Sequence, residues 1–178
     1  MAVSTESRTA LPAGTWVLDP VHSTIGFELP YLAGTFRGSF EDVDAKLTAD
    51  SLTGAARVAS IDVKDENLAA HLQSPEFFDA ERHPELTFAS SSIDRSGDEL
   101  KVDGEITIRG TTKPVDLAGA IAGPITDGYG RERVNVTLET TVDRTEFGVN
   151  WNMPLPNGQP ALQNDVKLVA ELYFVQEA

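Results

Sequence analysis

The feature that most constrains this chain is alternation with a period of two. In residues 101–108, KVDGEITI, the residues Val102, Gly104, Ile106 and Ile108 fall on one parity, and Lys101, Asp103, Glu105 and Thr107 fall on the other. Successive side chains of a strand point to opposite faces, so this is a strand with one face buried and one in water. Val134, Val136, Leu138 and Val142 repeat the pattern, as do Val115, Leu117, Gly119 and Ile121, and then Val166, Leu168, Ala170, Leu172 and Phe174. The segments ADSLTG, RSGDE, RGTTKP and TDGYGRE supply the Gly, Asp and Ser that tight connections need. Strands are expected over residues 15–29, 34–48, 54–63, 85–93, 99–109, 112–122, 132–142 and 165–175. Eight antiparallel strands on short turns remove their edges by closing into a barrel, and a two-sheet sandwich is the other architecture open to them. The expected fold class is all-β.

Within residues 34–48 the parity flips: Phe36 and Phe40 lie on one phase, Val43, Ala45 and Leu47 on the other. A β-bulge at 40–42 would produce the flip and help the sheet curl. Gly104, Gly119, Ala170 and Ser90 fall on the inward parity and are small, which predicts unfilled volume inside. Two connections, 64–84 and 143–164, are too long for hairpins. The first has helical composition around ENLAAHL, so a short helical insertion is expected between the third and fourth strands. In an up-and-down barrel these two links lie at the same end as PYLAG and RGTT. Unusual sequence then converges on one mouth, where a barrel usually carries function.

Acidic residues outnumber basic ones 28 to 14, for a net charge of −14, which repels nucleic acid and anionic surfaces. There is no cysteine, so no disulfide or thiolate chemistry is available. Residues 1–14 are expected to be a disordered arm and 15–178 a single domain. With no signal-like apolar run at the start and no stretch long enough for a membrane span, the expected location is the cytoplasm, without stable membrane insertion.

His22-Ser23 are strand neighbours and face opposite ways, so they cannot act as a base and nucleophile pair, and no G-x-S-x-G elbow is present. His22, His71 and His83 lack metal-ligand spacing, and GYGRER lacks the third glycine of a dinucleotide fingerprint. No catalytic residue, metal or cofactor is expected. HLQSPEFFDAERHPELTF, residues 71–88, keeps no single period and gathers His71, Phe77, Phe78 and Phe88, which reads as a plug or lid. Phe147 and Trp151 carry the same two readings in the other long link. Arg109, Lys113 and Arg144 would meet an anionic ligand head or pair with nearby carboxylates.

LDPVHSTIGFEL, HLQSPEFFDAERHPELTFAS, DGEITIRGTTKPVDL and VDRTEFGVNWN with its continuation through VKLVAEL carry a family resemblance that spans residues 16–175. The chain resembles the YceI-like family of lipocalin-like, polyisoprenoid-binding proteins. The resemblance implies an eight-stranded lipocalin-like barrel around an apolar channel that takes a polyprenyl phosphate or an isoprenoid quinone, with no catalysis established for the class. Pro30 and Tyr31 stand where many relatives have a histidine, and Pro30 predicts that the strand bends or ends there. The expected function is a non-catalytic carrier of a long isoprenoid or similar lipid, with a packed, ligand-free interaction barrel as the alternative and an enzyme on an apolar substrate as a weaker one; a homodimer stays open. By parity, Phe27, Phe36, Val58, Phe88, Ile106, Val136, Leu168 and Leu172 are expected to line the channel. By loop topology, Tyr31, His71, Phe77, Phe78 and Trp151 are expected at its mouth.

Overall fold

A computed structural model describes residues 9–177. It contains eleven strands, one α-helix and two 3-10 turns. The strands are β1 (Trp16–Leu18), β2 (Thr24–Tyr31), β3 (Gly34–Phe40), β4 (Val43–Leu47), β5 (Leu52–Arg57), β6 (Ile61–Asp62), β7 (Glu85–Ser96), β8 (Glu99–Ile108), β9 (Thr111–Thr126), β10 (Glu132–Asp143) and β11 (Asp165–Gln176); the helix is α1 (Glu66–Gln73). Every pairing is antiparallel, and β1 pairs with both β4 and β11, which closes β1-β4-β5-β7-β8-β9-β10-β11 into an eight-stranded ring. In β8 the exposure follows the sequence alternation, with Leu100, Val102, Gly104 and Ile108 buried and Glu99, Lys101, Asp103 and Glu105 in water.

The first three expected strands each break in two at the same level of the barrel. Residues 19–23 separate β1 from β2, Glu41-Asp42 separate β3 from β4, and a 3-10 turn at Val58–Ser60 separates β5 from β6. The second and third breaks are tied together, because Glu41 N–H donates to the Ser60 carbonyl (3.1 Å) and Arg57 N–H donates to the Asp42 carbonyl (2.9 Å). The parity flip at 40–42 is therefore a strand break and not a bulge. Register shifts fall instead at Ser90/Ser92 in β7 and at Arg133/Asn135 in β10. Above the breaks the sheet continues β11-β2-β3-β6, and β6 pairs with β3 alone. The barrel is a complete ring at one end and opens between β6 and β7 at the other.

Helix α1 and the turns after it cover that opening. Asp65 caps the helix by accepting from Leu68 N–H at 2.9 Å, and Leu72 is its buried residue. Phe78 N–H donates to the Leu72 carbonyl and Asp79 N–H to the Ser74 carbonyl, and the buried Asp79 takes a left-handed backbone (φ 53°). These successive tight turns explain why residues 71–84 keep no period. At β2 the strand runs through Pro30 and ends at Tyr31, whose pairing with Gly34 closes the β2–β3 hairpin. The ladder to β11 has already ended at Glu28↔Lys167, so proline sits where one side of the strand carries no ladder.

Of the expected arm at 1–14, residues 1–8 lie outside the described residues. Residues 9–14 are tied to the barrel: Thr9 N–H donates to the Arg95 carbonyl, Gly97 N–H donates to Thr9 Oγ1, and Trp16 Nε1 donates to the Ala13 carbonyl. No helix among the described residues is long and apolar enough to cross a membrane.

Candidate functional site

The buried side chains fall into two clusters. Beyond the strand breaks, at the closed end, Trp16, Leu47, Leu100, Val102, Ile121, Val134, Val136 and Phe174 pack together almost without exposure. Towards the open end, Phe27, Phe40, Phe77, Phe147, Val149 and Leu162 pack around a cavity of about 470 Å³. Seven of the eight phenylalanines line that cavity, all but Phe174. Their rings meet at tilted or edge-on angles, with Phe27 6.0 Å from Phe36, 6.0 Å from Phe40 and 6.3 Å from Phe78. Aromatic pairs prefer such edge-on and offset arrangements.

Four links converge on the mouth, as the up-and-down topology predicts. Tyr31 forms a bridge with Leu162. Arg109, in the turn between β8 and β9, donates to the Gly148 carbonyl (2.6 Å) and the Pro75 carbonyl (2.7 Å), so one side chain clasps both long links. Arg144 is buried and donates to the carbonyls of Gln163 (3.0 Å), Val149 (2.7 Å) and Trp151 (2.8 Å), gathering residues 144–164 around itself. Burial lowers its pKa despite the attraction of Asp143. Arg109 and Arg144 thus bind main-chain carbonyls, where a ligand head or carboxylates were expected. The Nη2 of Arg144 and the Nε of Arg109 are buried with no hydrogen-bond partner among the described residues.

His71 joins the helix to both long links. Its Nε2 lies 2.6 Å from Glu76 Oε2, and its ring stands edge-on to Phe77 (4.9 Å) and Trp151 (5.0 Å). The other histidines lie elsewhere. His22 Nδ1 is 2.7 Å from Asp19 Oδ2 near the closed end, while Ser23 Oγ donates to the Asp19 carbonyl and accepts from Tyr173 N–H. His83 packs over Gly110, where an added Cβ would come within 2.6 Å of the imidazole. No group of three His, Cys, Asp or Glu among the described residues is arranged to hold a metal ion.

The structure brings Phe27, Phe36, Phe88, Ile106, Leu168 and Leu172 together in the cavity wall, with Tyr31, His71, Phe77, Phe78 and Trp151 around its upper part. Val58 and Val136 are corrections. Both are buried, yet neither lines the cavity: Val58 begins the 3-10 turn, and Val136 pairs with Ile121 and Leu172 within the closed-end core. Parity tells that a residue points inward but not at what height. Of the small inward residues, Ala170 lines the cavity as expected, but Gly104 does not open space: the Phe88 ring and the Ala89 carbonyl fill it, leaving an added Cβ only 2.7 and 2.3 Å from them. Sequence reasoning missed Leu29, Phe40, Ala56 and Leu86 in the wall. Phe40 lay on the same parity as Phe36, so its signal was present.

The amino-acid sequence matches the family described as the YceI-like domain over residues 16–174. Protein YceI of Escherichia coli O157:H7 is 29% identical over 164 aligned positions, covering 88% of this chain and 83% of that protein. Protein YceI of Salmonella newport (strain SL254) has the same identity and coverage. Among solved structures, Burkholderia cenocepacia BcnA superposes with a TM-score of 0.73 at 20% identity, covering 88% of this chain and 98% of BcnA. A polyisoprenoid binding domain from Saccharophagus degradans superposes with a TM-score of 0.71 at 9% identity, covering 91% and 98% of the two chains. These structures share the barrel. With a family match over nearly its whole length, the chain belongs to the YceI-like domain family.

Proposed function

We propose that this protein is a carrier that encloses a long apolar chain, an isoprenoid, in the open half of its barrel. The observation that carries the reading is the cavity of about 470 Å³ walled by seven phenylalanines and opening at the mouth. An engineered cavity of about 150 Å³ holds one benzene, so this volume suits on the order of eighteen carbons, or three to four isoprene units. Withdrawing one five-carbon unit from water is worth about 3–4 kcal/mol, so even a partly enclosed chain would be held firmly. A longer chain would continue out through the mouth. The polyisoprenoid-binding relative with the same barrel supports this ligand class. Arg144 is among the residues lining the cavity and its buried Nη2 has no hydrogen-bond partner among the described residues, so a small shift of the side chain would bring a donor to an oxygen at the ligand's polar end, a quinone carbonyl or a phosphate.

No chemical step is assigned. His22 and His71 are each held by a neighbouring carboxylate, Asp19 and Glu76. Mass spectrometry of an organic extract of the purified protein tests the reading, followed by uptake of added polyprenyl phosphate, isoprenoid quinone and an oxygen-free polyisoprene. A co-purifying chain, or uptake that favours the oxygen-bearing ligands, is expected. A clean extract with no uptake of any of the three would contradict it.

A further inference from the structure

We propose that the rim of the mouth is a docking surface for an electrically neutral lipid bilayer, from which the chain is loaded. The proposal rests on the carrier reading. Charged residues make up 24% of the protein, yet residues 29–36 and 147–164 contain none. These two segments are neighbours in space, joined through the Tyr31 and Leu162 bridge. They are also largely in water: Tyr31 is 43% exposed, Leu32 61% and Met153 53%, with Pro30, Ala33, Pro154 and Pro156 exposed beside them. Tyr31, Leu32 and Met153 also line the cavity, so the apolar rim and the apolar interior are continuous.

The tip is costly to maintain, which argues that it serves something other than stability. Leu32 has φ 53°, a left-handed conformation that leucine resists and that Asn or Gly would adopt more readily, in the two-residue turn between β2 and β3. Other large exposed apolar residues, Val21, Ile125 and Tyr129, gather near the opposite end, but there they stand among Asp19, Asp127, Arg131, Glu132 and Arg133. Charge therefore separates these two rim segments from the opposite end, while the charged residues of the mouth, among them Glu66, Glu76 and Arg109, belong to its other two links. An uncharged, apolar rim fits a surface that is itself uncharged and wet only by headgroups. The net charge of −14 would oppose approach to an anionic one. A water-insoluble chain also has its source in such a surface.

Flotation with phosphatidylcholine vesicles tests the proposal, using the full chain. The wild type is expected to float, with binding insensitive to salt between about 0.05 and 0.5 M, since no ion pairing is involved. Replacing part of the lipid with phosphatidylglycerol is expected to weaken binding. The Leu32→Asn, Met153→Asp double variant is expected to lose about tenfold or more in partition, as fits removal of two apolar anchors. Asn suits the left-handed position, so the melting temperature checks that the variant is folded. Ile125→Asn at the opposite end is expected to leave flotation unchanged. Absence of wild-type flotation overturns the proposal, as does flotation that rises with anionic lipid or survives the double variant. Uptake of a detergent-dispersed isoprenoid by the wild type separates the two readings: its absence defeats the carrier, whereas uptake without flotation defeats only the docking surface.

Discussion

At the closed end of the barrel, Trp16, Leu47, Leu100, Val102, Val134 and Phe174 meet almost without exposure, while at the open end seven phenylalanines and Trp151 surround about 470 Å³. The same sheet makes both. The difference begins with the strand breaks at 19–23, 41–42 and 58–60, which lie at one level and let β2, β3 and β6 diverge from the closed ring. Below the breaks, Trp16 and Phe174 pack among leucines and valines inside the closed ring. Above them the wall is wider, the rings meet edge-on, and a helix and two loops close what strands no longer cover. A packed half holds the fold, and a hollow half is free to hold something else.

The sharpest way to break this contrast is to truncate one leucine in each half. Leu100→Ala removes a fully buried side chain from close packing and is expected to cost about 3–5 kcal/mol in urea unfolding. Leu168→Ala only enlarges a space that already exists, so about 1–2 kcal/mol is expected. Equal costs would mean that the two halves are packed alike.

Two glycines sharpen the same point. An alanine Cβ at position 104 would meet the Ala89 carbonyl oxygen at 2.3 Å, a main-chain atom in a ladder, so Gly104→Ala is expected to cost about 1–3 kcal/mol. At position 38 the nearest atoms belong to the Phe27 ring and the Val63 side chain, and Phe27 can yield into the cavity. Gly38→Ala should therefore cost less than about 1 kcal/mol.

Smaller effects are electrostatic. Arg133 donates to Asp127 (2.6 Å) and to Asp19 (2.9 Å), joining the 127–131 turn to the 19–23 break. Its hydrogen bond holds the Asp127 carboxyl down at about 2, against an ordinary 3.8. Asp19 is pushed up by burial but pulled down further by its bonds to His22 and Arg133. Because these carboxylates have depressed pKa values in the folded state, their contribution is complete above about pH 4 and is lost as the pH falls towards 2. Arg133→Met should flatten that part of the stability profile. The smallest effect is expected at Asp116, whose pKa is raised by its hydrogen bond and charge interaction with Asp103 across the β8 and β9 ladder. Asp116→Asn should raise the melting temperature slightly at pH 7 and leave it unchanged near pH 3, where the carboxyl is already neutral.

Strands β8 to β11 were legible in the sequence because each carries a long run of alternation, β8, β9 and β10 being joined by short turns. The breaks in the first three strands were legible only in part. Each carries a parity flip, from Trp16 and Leu18 to Phe27 and Leu29, from Phe40 to Val43, and from Ala56 to Ile61, but a flip alone does not distinguish a bulge from a break. The mouth was read correctly as a meeting of four links, since strand count fixes which end each link occupies. The roles of Arg109 and Arg144 were not legible, because their partners are main-chain carbonyls of loops whose course no pattern records. Height along the barrel was equally hidden, which placed Val58 and Val136 among the cavity residues and put the hollow at Gly104.

The open half is expected to hold a chain. Ala56 is buried in the wall there, and a phenylalanine in its place would fill the space. Native mass spectrometry of delipidated protein after exposure to an isoprenoid quinone or a polyprenyl phosphate, wild type beside Ala56→Phe, measures this directly. One chain bound per wild-type molecule is expected, with none in a variant that melts no lower; no uptake by the wild type, or equal uptake by both, would contradict the account.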